Sequence, residues 1–128
     1  MSFRSKHCKF IFKLTIPLIL ILGSFCQSFS QNCSEIPNHF NSYESAVSFV
    51  KHAHFKFVDQ VNTSKSSWIR SASYYSCDGK TGYFIFTTDD KEYIHASMPI
   101  EVWREFKNAE SFGKFYNAYI KNRYQFYL

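Results

Sequence analysis

From residue 68 onward, apolar and polar positions alternate with a period of two. Trp68, Arg70, Ala72 and Tyr74 share one strand face, and Ile69, Ser71, Ser73 and Tyr75 share the other. Cys77-Asp78-Gly79-Lys80-Thr81-Gly82 interrupts the run with turn chemistry, its Asp-Gly pair tolerating positive φ. Alternation resumes over residues 83–88, Asp89-Asp90-Lys91 turns again, and residues 92–97 predict a third strand. These three make an antiparallel meander. The period then becomes helical. Pro99 opens a helix, where its missing N–H costs nothing, and Val102, Trp103, Phe106 and Ala109 form the stripe to be buried. Ser111 caps a second helix, in which Phe112, Phe115, Tyr116, Tyr119 and Ile120 fall at i, i+3, i+4, i+7 and i+8.

Upstream, Asn41-Ser42-Tyr43-Glu44 reads as a helix start with Asn41 at the N-cap and a glutamate three residues on. Tyr43, Ala46, Val47 and Val50 repeat at helical spacing, which predicts a helix over 42–52. Phe55 and Phe57 alternate with polar neighbours as a short strand, and the polar run 62–67 is a connector and a boundary. The pattern therefore predicts an α+β fold. A small antiparallel three-stranded meander is followed by two C-terminal helices packed on one face, and a helix-strand extension over 31–65 precedes it. The sheet face left open by those helices is the natural contact surface.

The first thirty residues read differently. Arg4, Lys6, Lys9 and Lys13 lead into the apolar run 14–22, and no acid precedes Glu35. That run is half the roughly 20 residues a membrane-spanning helix needs, and Pro17 interrupts it. Ser28 and Ser30 place small side chains at −3 and −1 of a signal-peptidase site. Residues 1–30 thus read as a cleavable secretory signal peptide, which predicts a secreted or periplasmic protein with no transmembrane span in its mature part. This changes the charge argument. The chain has 15 basic and 10 acidic residues, a net of +5. Four of those bases sit in the leader, which leaves eleven against ten, or +1, so most of the basic balance is an export signal. Of the four cysteines only Cys33 and Cys77 lie beyond the cut, and in an oxidising compartment they suggest one disulfide.

Residues 66–128 resemble the KTSC domain family, named for the C-terminal end of certain lysyl-tRNA synthetases. The features that carry the resemblance are Ser66-Ser67 before the first strand, the meander, Tyr93 in the third strand, and Pro99 with Val102-Trp103 and Phe106. The most specific stretch is Ser111-Phe112-Gly113-Lys114-Phe115-Tyr116-Asn117, continued by Ile120-Lys121 and Tyr124-Gln125-Phe126. Where the family tends to carry Tyr-x-Tyr in the third strand, this chain has Tyr93-Ile94-His95. The resemblance implies an uncharacterised domain for which RNA binding is a suggestion.

Candidate chemistry is sparse. No Gly-rich phosphate loop, metalloprotease motif or nucleophile elbow is present in the sequence. His52 and His54 lack a nearby acid or cysteine and read as a solvated pair at a helix end, and Asp89-Asp90 reads as a hairpin turn. No metal, cofactor or catalytic group is expected. The leading expectation is an exported non-enzymatic module that contacts a protein or peptide partner through Tyr74, Tyr75, Tyr93 and His95, because tyrosine combines a large contact area with a polar tip. The alternative is nucleic-acid binding through the C-terminal helix, with Arg70, Lys114, Lys121 and Arg123 meeting phosphates beside aromatic rings. From Lys107 onward there are four bases and one acid, Glu110. Against it, the helical period already assigns most of those rings to the interior.

Overall fold

The computed structural model describes residues 32–128. The leader and its cut after Ser30 lie outside the described residues. Among the described residues, no helix is long and apolar enough to cross a membrane.

The first helix, α1, spans Tyr43–His52. Its cap is Ser42, one residue later than the sequence suggests. The Ser42 side chain accepts from the Ser45 N–H at 3.1 Å, and the Ser45 hydroxyl accepts from the Ser42 N–H at 3.2 Å. This reciprocal box satisfies two otherwise unpaired donors, so Asn41 and Glu44 are not needed for it.

The sheet has four strands, not three: β1 (Phe57–Val61), β2 (Ser71–Ser76), β3 (Thr81–Thr87) and β4 (Glu92–Pro99), in the order β1-β2-β3-β4. The segment read as part of an extension supplies β1, which pairs antiparallel with β2 from Phe57↔Ser76 to Val61↔Ala72. The run 62–67 is accordingly part of a loop joining two paired strands. Ser66 organises that loop, its hydroxyl accepting from the Ile69 N–H at 3.0 Å. Trp68 and Ile69 precede β2 for this reason. At the far end of β3, pairing slips between Gly82 and Phe84, with Ser97 of β4 at φ 55. A Cβ on Gly82 would lie 2.1 Å from the Tyr75 carbonyl oxygen, so only glycine fits this crossing.

Two layers cover the sheet. On one face, Ala72, Tyr74, Phe84 and Phe86 pack with Trp103 and Phe106 of α2 (Ile100–Lys107), Phe112 of α3 (Phe112–Phe115), Tyr116 and Ile120. On the other, Tyr75, Ile85 and Ile94 pack with Ala46, Val47 and Val50 of α1, together with Phe40 and Phe126. The expected open face is therefore covered over much of its area, because the strands are apolar on both sides at their centres. What stays open is a polar corner near Val58, Gln60, Ser71 and Ser73.

The last helix departs from its period. After Phe115 the winding widens into a π-helical turn over Tyr116–Ile120, closed by the Lys121 N–H on the Tyr116 carbonyl at 2.9 Å. Tyr116 and Ile120 still point inward, but Tyr119 is carried to the surface and is 52% exposed. Asn122, at φ 64, then turns residues 123–128 back as a strap on β4, where the Ala96 N–H donates to the Tyr124 carbonyl at 3.2 Å. Cys33 and Cys77 are disulfide-bonded with Cα atoms 5.8 Å apart, which ties the short 3-10 turn Cys33–Glu35 to the β2–β3 turn.

Candidate functional site

The motif Ser111-Phe112-Gly113-Lys114 builds one surface feature by turning its neighbours inward. The Ser111 hydroxyl accepts from the Lys114 N–H at 3.3 Å and starts the helix. Phe112 stacks on Phe106 with ring centres 5.0 Å apart. Lys65 lies over the Phe112 ring at 4.4 Å and donates to the Ala109 carbonyl at 2.6 Å, closing the end of α2. Gly113 lies against Trp68: a Cβ there would lie 2.3 Å from the indole nitrogen. Trp68 in turn meets Phe86 and Tyr116 edge-on. With these groups committed to the core, Phe115 and Tyr119 remain on the outer side, 4.8 Å apart, in a notch shared with Ala109, Glu110, Ser111, Lys114 and Ala118.

This aromatic shelf is not among the residues singled out from sequence as contacts. The period placed Phe115 and Tyr119 on the buried face, and only the π-helical turn separates Tyr119 from it. A local signal for that turn is absent from the sequence, since Tyr-Asn-Ala-Tyr-Ile fits an α-helix equally well.

The four predicted sheet contacts are placed otherwise. Tyr74 and Tyr75 point to opposite faces, and both are buried. Tyr74 stacks on Trp103 at 5.6 Å and donates to the Met98 carbonyl at 2.7 Å. Its pKa is pushed up to about 12, first by burial and then by the charges of Asp78 and Glu101. Tyr93 is half-buried, stacked on Phe86 at 4.8 Å, with the Lys91 ammonium 4.7 Å from its ring centre. His95 is buried, stacked on Phe86 at 6.1 Å and 7°, so it fills the ring position opened by the departure from Tyr-x-Tyr. These four residues form core on two sides of the sheet and do not converge on an open surface.

The four predicted phosphate contacts do not converge either. Arg70 is engaged by Asp89, its Nε 2.7 Å and its second nitrogen 3.2 Å from the two carboxylate oxygens. Lys114 stands in the aromatic notch, whereas Arg123 lines a separate groove with Pro37, Tyr83 and Tyr127. Lys121 is exposed beyond the π-helical turn. The remaining base of this end, Lys107, is tied to Asp59 at 2.6 Å. Burial pushes the Asp59 carboxyl up, but hydrogen bonds from Lys107, the Trp103 indole and the Gln60 N–H outweigh it and hold the carboxyl below its usual range. At the end of α1, a His52 ring nitrogen lies 2.6 Å from the Ser48 carbonyl, and among the described residues no three His, Cys, Asp or Glu side chains gather as a metal site.

No curated protein and no solved structure matches the chain. The segment from Lys65 to Tyr124 matches the family model of the KTSC domain, and it spans the groups just described, from the Ser66 turn through the Trp68–Gly113 contact to the start of the strap; over residues 65–124 the chain is similar to the KTSC domain family.

Proposed function

We propose that this chain is an exported, non-enzymatic interaction module that holds a protein or peptide partner at the Phe115–Tyr119 shelf. The observation that carries the reading is a tilted aromatic pair at the surface, exposed Tyr119 on half-buried Phe115, which itself rests edge-on against Phe106 of the core. Tyr43 and Tyr127 are also exposed, but each stands apart from the notch, with its hydroxyl on the Phe126 carbonyl and on Gln125 respectively. The notch is also lined by the small Ala109 and Ala118 and by one acid, Glu110, and one base, Lys114. An apolar or aromatic side chain of a peptide suits the rings and alanines of this lining, with polar flanks meeting Glu110 and Lys114. The contact thus moves from the sheet, where Tyr74, Tyr75 and His95 are buried, to the last helix. The export half of the reading rests on the leader.

A second reading keeps nucleic acid as the partner. Exposed Tyr119 beside Lys114, with Lys121 following, is the arrangement a stacked base and its phosphate would use. Arg70 and Lys107 lie outside that notch and are paired with Asp89 and Asp59, so this reading depends on Lys114 and Lys121.

Selection of displayed random peptides on the purified protein tests the first reading. Enriched peptides are expected to share an apolar or aromatic anchor and to lose about tenfold or more in affinity for Tyr119→Ser, as for an interface hot spot. Peptides that bind both forms equally, or no enrichment, would overturn it.

A further inference from the structure

The strap 123–128 is held on the sheet by a buried imidazole. The Tyr124 carbonyl accepts two hydrogen bonds from β4, from the Ala96 N–H at 3.2 Å and from His95 Nδ1 at 3.0 Å. The other ring nitrogen, Nε2, lies 3.2 Å from the Tyr116 hydroxyl. Both contacts are satisfied by a neutral ring that donates through Nδ1 and accepts the Tyr116 O–H at Nε2. Beyond Tyr124, Phe126 crosses to the opposite face and packs against Phe40, Tyr43 and Tyr83. One histidine thus joins the π-helical turn, the edge of β4 and a strap that helps close the second core.

We infer that His95 is a pH-sensitive latch, whose protonation releases the strap from β4 and uncovers that strand's outer edge. The surroundings give the ring no counter-charge. From β3 it meets Phe84 and Phe86, from its own strand Tyr93 lies two residues away, and from the π-helical turn it meets the Tyr116 hydroxyl. From the strap it meets a carbonyl, and the adjacent charged residue there is Arg123, of the same sign as an imidazolium. No carboxylate pairs with it among the described residues. A second proton would fall on Nε2, facing a hydroxyl that would have to reverse, and would bury a charge.

The direction follows from linkage. Burial holds the folded imidazole below its ordinary 6.5, with the Tyr124 carbonyl offsetting part of that. An open state, in which water reaches the ring, binds the proton more readily. The closed strap therefore has its full stability above about pH 6.5, and loses it as pH falls from there through the lower folded value. The hinge is already present in the left-handed Asn122 at the start of the strap.

Amide hydrogen exchange of the protein, followed residue by residue from pH 7.5 to 5.0 and corrected for intrinsic rates, tests the latch. The Ala96 amide is expected to open locally, exchanging faster than amides of the β2–β3 pair, and its opening constant is expected to rise severalfold over this range. In His95→Gln that rise is expected to vanish. The latch is overturned if Ala96 exchanges only with the β2–β3 amides at every pH, if its opening constant is flat in the unmodified protein, or if the glutamine variant keeps the rise.

Discussion

Trp103→Ala lowers the stability of the protein by about 3–5 kcal/mol, the range for removing a large buried aromatic. Trp103 has no exposed surface and stacks between Tyr74 at 5.6 Å and Phe106 at 5.8 Å, with Phe84 tilted against it at 5.9 Å. Its indole N–H donates to Asp59 at 2.9 Å, which ties α2 to the edge strand β1. Alanine removes both the ring and this donor. A small domain has roughly 5–15 kcal/mol in total, so much of its stability depends on this one residue. The melting midpoint falls by about 12–40 °C, at about 4–8 °C per kcal/mol for a domain near this size. Trp103→Phe separates the two contributions, since it keeps a ring in the stack and loses the donor. A midpoint shift of only a degree or two for the alanine variant would show that the helical layer is not built around this ring.

The second large effect is covalent. Cys77→Ser opens a loop whose ends are 44 residues apart. Chain-entropy arguments assign a closure of that length about 4 kcal/mol. Locally, the bridge fastens the Cys33–Glu35 turn to the β2–β3 turn, which is otherwise set by Asp78 accepting from the Lys80 and Thr81 N–H groups at 2.8 and 3.0 Å. Those local bonds survive the substitution, so the loss is in the tethering of residues 33–42 and of α1 behind them. Urea unfolding is expected to show the variant destabilised by this amount and indifferent to reductant, while the parent protein falls to the variant's midpoint when reduced. Equal midpoints for the oxidised parent and the variant would show that the bridge constrains nothing in the unfolded chain.

The meander is legible because its strands are set off by two polar turns, Asp78-Gly79 and Asp89-Asp90, and the α2 stripe because Trp103 and Phe106 repeat at helical spacing. The fourth strand was missed as part of the sheet because Phe57-Val58-Asp59-Gln60-Val61 is short, polar at two positions and separated from β2 by nine residues. The covered second face is hidden in the first strand, where Tyr75 shares its side with the polar Ser71 and Ser73; only across all three strands do Tyr75, Ile85 and Ile94 line up as a second apolar face, the mark of strands buried on both sides. The shelf is hidden for a different reason: it follows a π-helical turn over Tyr116–Ile120, closed by the Lys121 N–H on the Tyr116 carbonyl, that the helical period does not signal. The match to the KTSC domain, by contrast, rests on residues whose geometry explains them. Gly113 leaves room for Trp68, Ser111 caps the helix, and Ser66 shapes the loop before β2.

The class of partner is tested most directly by one titration. Labelled single-stranded RNA and DNA are added to the protein at several salt concentrations, starting low, where attraction between charges is least screened. No saturable binding is expected at the lowest salt, because Arg70 and Lys107 are paired and Lys114 and Arg123 lie in separate grooves. Tight binding whose logarithm falls with log salt at a slope of about −0.7 per phosphate neutralised, and which Tyr119→Ser weakens, would contradict it and assign the shelf to nucleic acid.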